Sequence, residues 1–167
     1  MADTTVTNKP NDIIDEVVAT LLAGTISSAN AFNNVEKANS VDRFKETRLS
    51  GSDSASLAAV INGGVEEFII TDENVGNVLS LTILICSQSN TESNSVTSVT
   101  ELVAAVKNLL NGDVPDDARG FYAVDEEEFT QLLDWDEPEY DTESKKNWAF
   151  AELPCRIAFI TTTESSH

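Results

Sequence analysis

The residues best equipped for chemistry in this sequence are its carboxylates. Between Asp113 and Glu143, thirteen Asp and Glu side chains stand against one base, Arg119. Closely spaced carboxylates can coordinate Ca2+ or divide acid and base roles across a glycosidic bond. Asp134 and Asp136 have the spacing that opens an EF-hand loop, but Pro138 takes the fifth position, and the sixth, which that loop needs as Gly, is Glu139. Nothing around the run marks a pocket for a glycosidase pair, so a solvated acidic face is the plainer expectation. The one His, His167, is the last residue, which leaves no His for a triad or a metal centre within the patterned chain. Phosphate-cradling glycine motifs and the G-x-S-x-G nucleophile elbow are missing, and Gly63-Gly64 reads as a turn. The expectation is therefore a chain with no catalytic site, no cofactor and no metal.

Charge then bounds the partners. The chain has 29 acids and 10 bases, a formal net charge of -19. Such a surface repels nucleic-acid phosphates and anionic membranes, so neither specific nucleic-acid binding nor membrane binding is expected. Within this surplus, Asp125, Glu126, Glu127 and Glu128 form the densest acidic run. Arg43, Lys45 and Arg48 form the densest basic patch, read either as a solvated face or arm or as a contact for an acidic neighbour such as another copy of the chain. Cys86 and Cys155 sit in apolar strand-like runs without a C-x-x-C pairing and read as buried free thiols. No stretch approaches the roughly 18 apolar residues of a membrane span, Met1 to Pro10 lacks the apolar core of a signal peptide, and no N-x-[ST] sequon occurs. These features point to a reducing cytoplasm or to something assembled there.

The elements that must position these groups are legible in part. Ile13, Ile14, Val17, Val18, Leu21 and Leu22 make the stripe of a helix that Gly24 ends. Between Ser27 and Ser56 the pattern weakens, with Ala31 to Val35 as a candidate strand. Leu57 to Ile61 and Val65 to Thr71 read as two strands joined by Asn62-Gly63-Gly64. Asn77 to Ser87 is the best strand, with Leu79, Leu81, Ile83 and Ile85 on one face. Ser98 and Glu101 form a capping box for a helix whose stripe is Val99, Leu102, Val103, Val106, Leu109 and Leu110. Gly120 to Val124 is a candidate short strand. Phe129, Leu132, Leu133 and Trp135 suggest one helical turn, and Glu137 to Lys146 a polar loop. Asn147 to Thr163 closes the chain as a strand, with Pro154 marking an edge position or a bulge. Residues 1–10 are read as a flexible N-terminal tail, 11–163 as one α/β (α+β) domain, and 164–167 as a flexible C-terminus.

This order resembles the tail-terminator family of long-tailed bacteriophages. The resemblance rests on the opening helix Ile13 to Leu22, the strand Val78 to Cys86 before the helix Val99 to Leu110, the irregular acidic segment containing Trp135, and the return strand from Trp148-Ala149-Phe150 to Phe159-Ile160. It covers most of residues 11–163 as a pattern rather than a motif, and Ser27 to Ser56 departs from it. It implies a single mixed, mostly antiparallel sheet with two helices packed on one face, and no catalysis. It also implies a homo-oligomeric ring, commonly of six subunits, in the virion neck. That ring caps the tail tube protein and meets the head-completion or connector proteins, and its acidic lumen passes DNA. Asp125 to Glu128 would line that lumen or an interface, and Arg43, Lys45 and Arg48 would meet a neighbouring subunit. A head-closure or adaptor protein of the same neck fits the pattern too, and an acidic module that mimics DNA to inhibit a nucleic-acid enzyme fits the charge.

Overall fold

The computed structural model describes residues 9–49, 55–69, 74–111 and 130–162. Helix α1 (Lys9–Ala23) buries Ile13, Ile14, Val17 and Leu21 and leaves Asp12, Asp15 and Glu16 in water, as a one-sided apolar stripe requires. Gly24 follows it. A Cβ there would sit 2.4 Å from the Leu109 side chain, so the glycine permits a close approach between the end of this helix and a later one. A hairpin of β1 (Thr25–Ile26) and β2 (Ala29–Asn30) comes next. Its turn residues Ser27 and Ser28 both have positive φ, matching the twist of a two-residue hairpin.

Strand β3 (Asn34–Ala38) begins three residues later than the pattern suggests. Ala31 and Phe32 are buried in the core ahead of it. Asn33 sets the start: its N–H donates to Ser56 O (2.7 Å) and its Oδ1 accepts the Ser56 N–H (2.7 Å), fixing β3 parallel to the next strand. The basic patch lies on helix α2 (Val41–Arg48), not on an extended arm; Ser40 Oγ caps it by accepting the Arg43 N–H (3.2 Å).

Strand β4 (Ala55–Ile69) is continuous where two strands and a turn were expected. Asn62 Oδ1 accepts the Gly64 N–H (2.7 Å), Gly64 has φ +109°, and the register slips between Asn62 and Val65. The Asn-Gly-Gly signal thus makes a bulge that keeps the strand going. Strand β5 (Asn74–Gln88) pairs antiparallel with it. Helix α3 (Glu92–Asn111) starts a turn and a half before Ser98, because Thr91 Oγ1 accepts the Asn94 N–H (3.1 Å) and caps it there; Ser98 and Glu101 lie inside the helix.

Two further expectations are corrected by backbone pairing. The Trp135 cluster is strand β6 (Thr130–Trp135), not a helical turn, and the polar loop contains strand β7 (Glu139–Glu143). Both take hydrogen-bonding partners from one side of strand β8 (Trp148–Thr162), β6 along its second half and β7 along its first. A short apolar run fits either helix or strand on periodicity alone, and the open side of β8 decides. Pro154 is consequently interior. Its C=O accepts the Asp136 N–H (3.0 Å) on the β6–β7 side, so its missing N–H faces the break between those strands and no bond to β5 is lost. Gly120 to Val124, the candidate short strand, lies outside the described residues.

The result is a mixed, mostly antiparallel sheet of order β3-β4-β5-β8-β6, with β7 beside β6 on β8. Helices α1 and α3 pack on one face, over Ala58, Val60, Leu79, Leu81, Ile83, Ile85, Leu153 and Ile157. On the other face α2 inserts Phe44 among Ala59, Ile61, Leu84, Cys86, Trp148 and Phe150. Among the described residues, no helix is long and apolar enough to cross a membrane.

Candidate functional site

The second sheet face carries a groove of about 470 Å3 between α2 and β7. Lys45, Glu46 and Leu49 form one wall, Asp141, Thr142 and Glu143 the other; Lys145 and Lys146 close one end, and Trp148 and Phe150 are the floor. The floor follows from strand geometry, since residues two apart point the same way. The two rings stack nearly parallel, with centroids 6.3 Å apart and planes 10° apart. Lys45 Nζ sits 4.2 Å from the Phe150 ring centroid, a cation–π contact of about 0.5–1 kcal/mol.

The turn that carries the lysines is held on every side. Both Glu143 carboxylate oxygens accept backbone N–H groups, from Lys145 (2.8 Å) and Lys146 (3.2 Å). Asn147 takes φ 58°, a conformation Asn tolerates better than most residues, and its Nδ2 donates to Asn90 O (3.0 Å). Buried Ser95 accepts the Ser89 N–H (2.9 Å) and donates to Asn147 O, while Gln88 Nε2 donates to Lys146 O (2.8 Å). The start of α3 and the end of β5 thereby fix the rim. Trp148 is buried, and among the described residues its indole Nε1–H finds no acceptor.

The thiols do not add a nucleophile. Cys86 lies under α2 on the groove's face; burial pushes its thiol up to about 12, with Lys45 opposing the shift. Cys155 lies on the helix-covered face; burial, and then the charges of Asp134 and Asp136, push it up to about 12 as well. Facing opposite sides of the sheet, the two remain free thiols. Buried thiols held protonated are poor nucleophiles and poor metal ligands.

The carboxylates singled out by spacing are committed elsewhere. Asp134 sits on β6, where Arg156 Nε donates to its Oδ1 (3.0 Å) and Arg156 Nη2 to its Oδ2; that pairing holds its carboxyl below the usual range. An EF-hand start requires a loop with free oxygens, and this segment is a paired strand. Among the described residues, no group of three or more His, Cys, Asp or Glu is placed to hold a metal ion. Of the basic patch, Lys45 lines the groove, Arg43 is exposed on α2, and Arg48 ends that helix with its side chain outside the described residues. Asp125, Glu126, Glu127 and Glu128 lie outside the described residues, as does His167.

Sequence reasoning missed Lys145, Lys146, Trp148 and Phe150 as a unit. The signal was present as Lys-Lys-Asn-Trp-Ala-Phe, two bases directly ahead of alternating aromatics. What the groove can do chemically is bind: an aromatic floor and ammonium groups at the rim suit an occupant with an apolar body and a carboxylate. No family model matches this chain, and no curated protein matches it.

Proposed function

We propose that this chain is a structural subunit of the virion neck, of tail-terminator type. It forms a homo-oligomeric ring, six-membered on the resemblance, that caps the tail tube and meets the head-completion proteins. The observation that carries this reading is the arrangement around one sheet, with α1 and α3 together on one face and the return strand β8 inserted beside β5. The tail-terminator resemblance implies such a sheet with two helices on one face, to which α2 on the other face is an addition. The groove supports it secondarily, because charged side chains around an aromatic floor offer binding chemistry.

The charge gains a role in such a ring. Copies each carrying a formal -19 would present a passage that repels DNA phosphates and lets the genome slide without sticking. Negative-stain imaging of the purified chain with cognate tail tubes tests the reading. Density at one end of each tube, absent from tubes alone, is the expected result, whether or not the free chain is already a ring. Binding to the head-side connector and not to tubes would move the chain to head closure. A tight complex with a nuclease or polymerase, and none with tubes, would replace the reading with a DNA-mimicking inhibitor.

A further inference from the structure

The groove and Thr130, the first described residue after the densest acidic run, lie at opposite ends of strand β8. The groove is at Trp148, the first residue of β8. The acidic run Asp125–Glu128 leads, through Phe129, into Thr130, which pairs with Phe159. Phe159 is eleven residues along β8 from Trp148, about 36 Å at ~3.3 Å per residue. Asp125 is five residues before Thr130, so its backbone lies within about 18 Å of Thr130 even when the chain is fully extended. The run therefore cannot reach the groove of its own chain.

The two are nevertheless complementary. Five of the ten bases, Arg43, Lys45, Arg48, Lys145 and Lys146, lie on α2 and the turn beside the groove. Of the three acids in its lining, Glu143 already binds two backbone N–H groups and Asp141 binds the Thr142 N–H (2.8 Å). The lysines and the aromatic floor suit a segment that presents carboxylates next to a ring, and Asp-Glu-Glu-Glu-Phe is such a segment. We propose that the Lys45–Lys145–Lys146 groove receives residues 125–129 of a second copy of this chain, so that copies join head to tail. Such a contact is heterologous, and it closes into a ring or propagates as a filament. The inference rests on the self-assembling reading above, names its seam, and assigns Asp125 to Glu128 to that seam rather than to the lumen.

Two measurements test it. A labelled peptide spanning residues 121–131 is titrated with full-length protein and followed by anisotropy. Binding should weaken at least tenfold when Lys45, Lys145 and Lys146 are changed together to Glu, and by a similar factor when the peptide carries D125N, E126Q, E127Q and E128Q. A Lys→Gln triple variant at the same three positions, with an unchanged melting temperature, guards against a folding defect. Sedimentation of full-length chains is the second measurement. The Lys→Glu triple variant, and a chain with residues 125–128 all changed to Lys, should each fail to associate alone and should associate when mixed. Peptide binding indifferent to the groove lysines, or no recovery on mixing, overturns the inference. The two readings fail separately. Rings on tail tubes that neither reversal disturbs leave the terminator reading standing and remove this seam. Groove-specific binding with no tube-end density leaves the seam and removes the terminator.

Discussion

Trp148 is 2% exposed, and its indole N–H has no partner among the described residues. An unmet buried donor costs about 1–3 kcal/mol. Phe150 and Lys45 complete the same spot, and Cys86 lies beneath it on the same face. The thiols carry a sharper consequence. Both Cys86 and Cys155 shift from an ordinary 9.0 to about 12 on burial. In the unfolded chain they ionise first, so the unfolded state sheds protons that the folded state keeps. Stability should therefore be intact below about pH 9 and fall as pH rises towards 12, by at most ~1.4 kcal/mol per pH unit for each thiol. Urea unfolding across that range checks the slope, which a Cys86→Ala/Cys155→Ala chain should lack. A thiol reagent near pH 8 should label neither cysteine until denaturant is added.

Among the elements, the long strands show how local signals are reinterpreted by their neighbours. Asn62-Gly63-Gly64 has the composition of a hairpin turn, yet β5 pairs with β4 on both sides of it. The glycines are used for a bulge, and Gly64 holds φ +109° with open space around it. Gly64→Ala meets no clash and should still destabilise by about 1–2 kcal/mol, because an L side chain strains that backbone. Thermal melts of the variant measure this, and Gly64→Asn, which tolerates positive φ better, should lose less. Pro154 follows the same logic, sitting inside the sheet where the break between β6 and β7 removes the need for its N–H. Helix α2 is eight residues long and mostly polar, and Phe44 on the second face is what anchors it.

For the whole molecule, the distribution of charge outweighs any single pair. The Lys37–Asp15 bridge (2.8 Å) is about half exposed at both ends and adds little, as surface pairs do. A formal -19 on a chain of 167 residues imposes self-repulsion on the folded state, which salt screens over roughly 10 Å at 0.1 M. Raising NaCl from 0.05 to 0.5 M should thus raise the melting temperature while weakening head-to-tail association. Calorimetry and sedimentation over one salt series read the two opposite trends. A melting temperature that fell with salt would show that attractive pairs outweigh the repulsion.

The sequence by itself determined the parts governed by one-dimensional periodicity. The stripes of α1 and α3, apart from Leu22, which is exposed, the inward face Leu79, Leu81, Ile83 and Ile85, and the buried thiols were readable, because burial of one face imposes spacing of 3.6 or 2 on apolar residues. So was the fold class, since two strong helical stripes and four strand-like runs leave few ways to cover one sheet. Only the tertiary structure decided the elements whose identity depends on a partner. Strands β6 and β7 exist because β8 presents an unfilled side, β4 runs through its glycines because β5 continues opposite them, and α2 forms where Phe44 finds Leu84 and Cys86. The groove belongs to this second group. Lys45 and Trp148 are about a hundred residues apart in sequence, and no local pattern records that a helix and a strand end will meet over them.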